Sequence, residues 1–240
     1  MSDEPRFLND VTVELVKHSA SDTDVLWAAR VSTAGEQSLE EVNKDPERSK
    51  GLINYLMRDR HGSPFEHNSM TFFVSAPILV FREFMRHRVG WSYNEESGRY
   101  RELEPVFYVP GEQRKLVQEG KPGRYVFVDG TPEQHKLVTE AMEGAYRQSY
   151  AAYQEMLEAG VAREVARAVL PVGLFSTMYA TCNARSLMHF LSLRTKNEQA
   201  KVPSFPQREI EMVAEKMEAA WAELMPLTHA AFVANGRVAP

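Results

Sequence analysis

The chain has 240 residues, 43 % hydrophobic and 25 % charged, the proportions of an ordinary soluble globular protein with room for one sizeable core or at most two. A formal net charge of −5 argues against a general nucleic-acid binder, and no apolar run approaches the ~18–20 residues of a membrane span. The single cysteine, Cys182, excludes an internal disulfide framework or a cysteine-based metal cluster. The acidic start MSDEPRFLND lacks the basic and apolar regions of a signal peptide, so a cytoplasmic location is expected.

Val11–Val16 alternates and reads as a strand. Asp22–Arg30 reads as a short helix with Ser21 or Asp22 as N-cap, running into Val31, Ser32 and Thr33. Pro46–Arg60 follows as a helix with Leu52, Tyr55 and Leu56 on its inner face. Gly62 and Pro64 make His61–His67 a turn. Met70–Ser75 is strand-like, and Pro77 suits the first position of the next helix. Val106–Val109 is a short strand, and glycine-rich Gly111–Gly130 reads as a long loop. Thr131, Pro132 and Gln134 supply a cap, an N1 proline and a capping-box partner, opening a helix that reaches about Ala159 and ends at Gly160. Leu137, Val138, Ala141, Met142, Ala145, Tyr146, Tyr153, Met156 and Leu157 keep helical spacing, which assigns the tyrosines to core or interface. A short helix at Arg163–Leu170 stops before Pro171. A strand at Leu174–Thr181 and helices at Asn183–Arg194, Glu209–Leu224 and Leu227–Val233 complete the chain. Helices dominate and strands are scattered, which implies an α+β fold in one domain over residues 1–240.

The stretch with most chemistry is FREFMRHRVGWSYNEESGRY, Phe81–Tyr100. Phe81, Phe84 and Met85 form an i, i+3, i+4 stripe, and Arg88 is its i+7 member. A guanidinium there must leave the core or meet an anion, because burying it unpaired is costly. Arg86 lies roughly 200° around the same helix, and Glu83 and His87 share a third direction at i, i+4. Gly90–Gly98 then supplies Ser92, Glu95 and Ser97, followed by Arg99. Donors spread this way suit a multi-part anion, such as a nucleotide phosphate beside a dinucleotide pyrophosphate. A solvated basic helix end would carry the same residues without a ligand.

NARSLMHFLSLR, Asn183–Arg194, repeats the design. Leu187, Phe190 and Leu191 lead to Arg194 at i+7, while Arg185, His189 and Ser192 share another face; the plainer alternative is an amphipathic helix whose last arginine favours the dipole. Arg163 and Arg167 sit at i, i+4 in AREVARAVLP, where a solvated face would place them too. HGSPFEH, His61–His67, invites a metal through its two histidines and Glu66, but no third histidine or acidic pair stands at ligand spacing. Cys182 ends an apolar strand, which suits a buried thiol and not a nucleophile. No Gly-rich phosphate loop occurs, so a bound dinucleotide would need side-chain cations and helix ends.

RHRVGWSYNEES, Arg86–Ser97, with SGRY running on through Gly98 and Arg99, resembles the signature of the flavin-dependent thymidylate synthases: Arg-His-Arg, seven or eight residues, then Ser. Here the spacer is eight. The resemblance implies a homotetramer with shared active sites and a helix-rich fold with a small, mostly antiparallel sheet. It implies methylation of dUMP to dTMP with methylenetetrahydrofolate as carbon donor and NADPH as reductant through FAD. Flavin contacts fall to Ser32, His61, Ser63, Arg86, His87, Arg88, Glu95, Asn183, Arg185 and His189, with His189 standing where many relatives carry Asn; Glu66 is a further candidate. For dUMP the resemblance implies Glu83, Arg86, Glu95, Ser97, Gly98, Arg99, Arg167 and Arg194. Arg194 is the catalytic residue, a fixed guanidinium beside the uracil ring. No metal, nucleic acid or membrane is implied. Two other classes use the same residues: a metal-dependent phosphohydrolase built on His61, Glu66, His67 and His87, and an RNA-binding module using the arginines.

Overall fold

Alternation builds the main sheet. In β3 (Ser69–Pro77), Met70, Phe72 and Val74 are fully buried while their neighbours are not, the period-2 signature of a half-covered strand. β2 (Thr12–Ser19) pairs with it antiparallel, from Thr12 opposite Ser75 to Ser19 opposite Ser69. β4 (Trp91–Glu95) and β8 (Phe175–Cys182) form a second antiparallel pair, and the sheet order is β2-β3-β8-β4. The computed structural model describes residues 4–36, 38–39, 46–121 and 124–240.

The described residues group into two compact units. The sheet unit comprises Thr12–Ser75, Arg82–Glu95 and Thr177–Pro240. It holds α1 (Asp22–Ala34), α2 (Pro46–Arg58), α6 (Ala184–Arg194), α7 (Arg208–Leu224) and α8 (Pro226–Ala234). α1 is capped by Ser21, whose side chain accepts the Asp24 N–H, and it runs past Arg30 through Ser32 to Gly35, which takes φ +72°. Asp22 accepts hydrogen bonds from the Leu227 and Thr228 amides and the Thr228 hydroxyl, a carboxylate on the positive end of α8. The inner face of α2 is Ile53, Leu56 and Met57 rather than Leu52, Tyr55 and Leu56: Tyr55 is 45 % exposed. Residues 53, 56 and 57 are the i, i+3, i+4 set, and Tyr55 sits to one side of it.

The second unit, named for its long helix α4 (Pro132–Glu158), comprises the described residues of Met1–Val11 together with Ala76–Phe81 and Glu96–Ser176. β1 (Arg6–Leu8) and β5 (Val106–Tyr108) pair in parallel. α4 (Pro132–Glu158) opens on a complete capping box between Thr131 and Gln134. Tyr146, Tyr150 and Tyr153 from α4 pack with Leu103, Phe107, Val109, Ala166 and Leu174, so the tyrosines are core. Leu137, which shares their helical spacing, is 66 % exposed in the first turns of the helix. The stretch expected as a loop contains a hairpin, β6 (Val117–Lys121) with β7 (Arg124–Val128). Val117, Tyr125, Val126, Phe127 and Val128 have the β-branched and aromatic character of strands. Residues 122–123 of that stretch lie outside the described residues. Arg163–Leu170 divides into α5 (Arg163–Ala166) and a 3-10 turn, Arg167–Val169. Among the described residues no helix is long and apolar enough to cross a membrane.

Candidate active site

α6 is fixed at both ends by side chains. The Asn183 carboxamide accepts the Ser186 N–H at 2.9 Å, and Asn68 accepts the Ala184 N–H at 2.8 Å. Two of the four orphan donors of the helix start are thereby satisfied. Leu187, Met188, Phe190 and Leu191 are fully buried and hold the helix against the sheet unit. Its last residue is Arg194. The Nη1 of Arg194 donates to Glu83 Oε2 at 2.8 Å, and its Nε donates to His87 Nε2 at 3.0 Å. A guanidinium can only donate, so His87 Nε2 presents a lone pair and the proton of a neutral imidazole lies on Nδ1. Burial first, then the charges of Arg194 and His189, push the pKa of His87 down to about 4, which agrees with that tautomer. Phe190 supports the pair from below, stacked on Phe84 at 4.6 Å and edge-on to His87 at 4.9 Å.

The helix before the Arg-His-Arg motif ends sooner than its spacing suggests. α3 (Ile78–Phe84) stops at Phe84. Arg88 is therefore not the i+7 member of a helical stripe, and Met85 is exposed. The end tightens onto i+3 bonds, with the Phe84 carbonyl accepting the His87 N–H at 3.0 Å, and the Tyr93 hydroxyl on β4 donates to the carbonyl oxygens of His87 at 2.7 Å and Phe84 at 3.2 Å. Burial raises the pKa of Tyr93, so the hydroxyl stays a donor. The chain turns at Met85–Arg86 and again at Val89–Gly90. Ser186 Oγ donates to the Val89 carbonyl at 3.0 Å, and Gly90 takes φ +69° with Ser186 Oγ where a Cβ would stand. Only glycine fits there. Arg86 and Arg88 project from this turn as exposed side chains.

A second cluster surrounds Arg185, near the start of α6. Its Nη1 meets Glu66 Oε1 at 2.5 Å, and its Nε donates to the Pro240 backbone oxygen at 2.6 Å. Gly62 lets the guanidinium approach, since a Cβ would lie 2.5 Å from it. The pKa of His189 is lowered by burial and by the charges of Arg185 and Arg60. His61 stacks on Tyr55 at 5.5 Å. Ser63 opens the 3-10 turn Ser63–Glu66 and is exposed. Ser32 is exposed, its hydroxyl donating to Ala29 O at 3.0 Å within α1. Glu95 is exposed at the end of β4. Arg185 and Arg60 both bear on His189, and a diphosphate would neutralise that concentration of positive charge. This donor set fits the anionic part of a dinucleotide such as FAD.

Within the α4 unit, the structure brings Ser97, Gly98, Arg99 and Arg167 together. Ser97 accepts the Arg99 N–H on its hydroxyl at 3.3 Å and the Tyr100 N–H on its carbonyl at 3.0 Å. Gly98 is buried, and a Cβ there would lie 2.7 Å from Leu103 and 3.4 Å from Arg167 Cδ. Glycine thus lets the Arg167 stem lie across the turn. Arg99 Nε stands 3.4 Å from Glu164 Oε1, while Arg163 is exposed on α5.

The residues of the metal reading disperse. His61 stacks on Tyr55, His67 stands edge-on to Trp27, Glu66 pairs with Arg185, and His87 accepts from Arg194. Among the described residues no group of His, Cys, Asp and Glu could hold a metal ion. Cys182 is buried, and burial raises its thiol pKa, which suits a structural thiol. Sequence reasoning missed Tyr93, Ser186 and Arg60, and gave Phe190 no role beyond the apolar stripe. Tyr93 had a signal in the alternation of WSYNE; the others had none without the pairing of α6 with the Arg-His-Arg turn.

Fold and site define a class with guanidinium and imidazole groups gathered along α6 and no glycine-rich phosphate loop in the sequence. Residues 14–227 match the model of the thymidylate synthase complementing protein family. The chain is 84 % identical over 236 residues to the flavin-dependent thymidylate synthase of Streptomyces avermitilis, covering 98 % of this chain and 96 % of that protein. It is 58 % identical over 237 residues to the flavin-dependent thymidylate synthase of Tropheryma whipplei, covering 99 % and 98 %. It is also similar to the crystal structure of the UMP/dUMP methylase PolB from Streptomyces cacaoi bound with 5-Br UMP. That likeness has a TM-score of 0.90 at 56 % identity, over 98 % of this chain and 99 % of that one. The chain belongs to the thymidylate synthase complementing protein family, as the Arg86–Ser97 stretch led one to expect.

Proposed function

We propose that this chain is a flavin-dependent thymidylate synthase. It methylates dUMP to dTMP, taking the carbon from 5,10-methylenetetrahydrofolate and the reducing equivalents from NADPH. FAD, when bound, supplies the hydride-transfer chemistry that links NADPH to this reaction. Its holders are Arg86, His87 and Arg88 on the turn after α3, Asn183, Arg185 and His189 on α6, and Ser32, His61, Ser63 and Glu95. The substrate dUMP falls to Glu83, Arg86, Glu95, Ser97, Gly98, Arg99, Arg167 and Arg194. The protein works as one functional domain over residues 1–240, since the matched stretch 14–227 draws on both units, and as a cytoplasmic homotetramer.

The observation that carries this reading is the anchored guanidinium of Arg194. Its Nε and Nη1 are held by His87 and Glu83, and among the described residues the Nη2 edge is left for a ligand. Negative charge builds on the O2–N3–O4 side of uracil as C5 becomes electron-rich or C6 accepts hydride. A guanidinium fixed beforehand stabilises that charge as it develops, without reorganising. It cannot act as a base near neutral pH, so its task is electrostatic.

The test is an absorption spectrum of the purified chain, followed by turnover. Purified protein is expected to be yellow, to bleach with NADPH, and to form dTMP from dUMP and methylenetetrahydrofolate. A protein that takes up no flavin and forms no dTMP with all substrates present would overturn the reading.

A further inference from the structure

A buried polar network begins one residue beyond Arg194. Thr195 is buried as the C-cap of α6. Its hydroxyl donates to Leu191 O at 2.7 Å and accepts from Arg237 Nη2 at 2.9 Å, so both hydrogen-bonding capacities of the side chain are used. Its amide also donates to Leu191 O, and its own carbonyl accepts from Ser204 Oγ. Arg237 is 3 % exposed in its side chain and lies over the Phe232 ring at 5.1 Å. Its two Nη atoms meet the two oxygens of Glu218 on α7 at 2.6 Å each, and His229 meets Glu218 Oε1 at 2.9 Å. Burial raises the Glu218 pKa, but the bonds from His229 and Arg237 outweigh it and hold the carboxyl at about 2.

Two features mark this network as more than packing. Arg237 adopts φ +56°, a left-handed conformation that a side-chain-bearing residue keeps only where its surroundings over-determine it. Buried ion pairs, moreover, are weak contributors to net stability, because desolvation offsets their attraction. The left-handed turn that closes α8, with the Arg237 N–H donating to Phe232 O at 2.9 Å, carries the paired guanidinium to the Thr195 hydroxyl. The same segment touches α6 again through Pro240, whose oxygen accepts from Arg185.

We infer that Arg237 and Thr195, with Glu218 aligning Arg237, are positioning residues that set the guanidinium of Arg194 by clamping the last turn of α6. The inference rests on the role proposed for Arg194. A loosened final turn leaves Glu83 and His87 to hold Arg194 alone, and displacement of a catalytic group by 1 Å can cost up to ~10²-fold in rate.

The test is a double-mutant cycle in the full-length holoenzyme. Thr195→Val is nearly isosteric and leaves the Arg237–Glu218 pair intact. It is expected to lower kcat by on the order of tenfold, with the dUMP Kd from calorimetry unchanged. Thr195→Ser, which restores the hydroxyl, is expected to restore kcat. On an Arg194→Ala background, Thr195→Val is expected to add nothing, because residues acting through one another are non-additive. Arg237→Met should follow the same pattern; should it fail to fold, the Thr195 series still decides. Equal proportional losses in both backgrounds, or an unchanged kcat in Thr195→Val, would overturn the inference. Arg194→Ala turning over like the wild type would instead remove the reading of Arg194 beneath it.

Discussion

α6 and α3 look alike in sequence, each an apolar stripe running towards an arginine, yet they finish differently. α6 stays helical to Arg194 and is capped by Asn183 at its start and Thr195 at its end. α3 has seven residues and stops at Phe84, with its last carbonyl and that of His87 taken by Tyr93. Consequently Arg194 is only 20 % exposed and bonded to Glu83 and His87, whereas Arg86 and Arg88 project from an exposed turn. A cation fixed before the ligand arrives can act on developing charge at little reorganisation cost. Cations that the ligand must organise contribute affinity, after the loss of side-chain freedom is subtracted. On the proposed reading, the two arginine-bearing ends would divide the work between rate and binding.

The largest expected effect tests the rate half of that division. Arg194→Ala should lower kcat by about 10²–10³-fold while the dUMP Kd moves only a few-fold. Steady-state kinetics with calorimetry would check this, and equal losses in both quantities would erase the distinction. The binding half predicts the reverse pattern. Arg88→Ala should weaken FAD by roughly 10–100-fold, the loss of one charge-assisted bond. Its kcat at saturating flavin should stay within a few-fold of the wild type. Fluorescence titration of the apoprotein with FAD reads the affinity directly. An Arg88→Ala protein that binds FAD normally but turns over slowly would place Arg88 with Arg194.

What could be read in advance was local chemistry. The capping box at Thr131–Gln134 needs only residues three apart, and it formed as expected. The Ser21 cap did too. The family was legible because Arg86–Ser97 and Asn183–Arg194 keep their spacing. The end of α3 was not: its last turn tightens onto i+3 bonds and receives a hydroxyl from the next strand, and a stripe of apolar residues reports neither. The hairpin at 117–128 was hidden by the weight given to its glycines. The bond from Arg194 to His87 joins residues 107 positions apart, and helical spacing alone could only point Glu83 and His87 the same way. Their convergence on one guanidinium required the pairing of two elements.

The smallest effect concerns the protonation of His87, and it tests whether Arg194 is held in the absence of ligand. The pKa of His87 is pushed down to about 4 by burial, Arg194 and His189, against about 6.5 for an unfolded chain. Between those values the unfolded state binds the proton and the native state does not, so stability falls with the pH. The contribution is fully present above about pH 6.5 and is lost progressively towards pH 4. Its slope is on the order of 1 kcal/mol per pH unit at most, reduced by solvent screening of the partly exposed ring. His87→Asn retains a side chain able to accept from Arg194 but cannot titrate. Urea midpoints for both proteins at pH 7.5, 5.5 and 4.5 should run parallel above neutrality and diverge below it, with the wild type losing more. Parallel behaviour down to pH 4.5 would mean that His87 takes up its proton without cost. In that case its ring would not be held neutral against Arg194, and the guanidinium of α6 would be no better fixed than those of the turn.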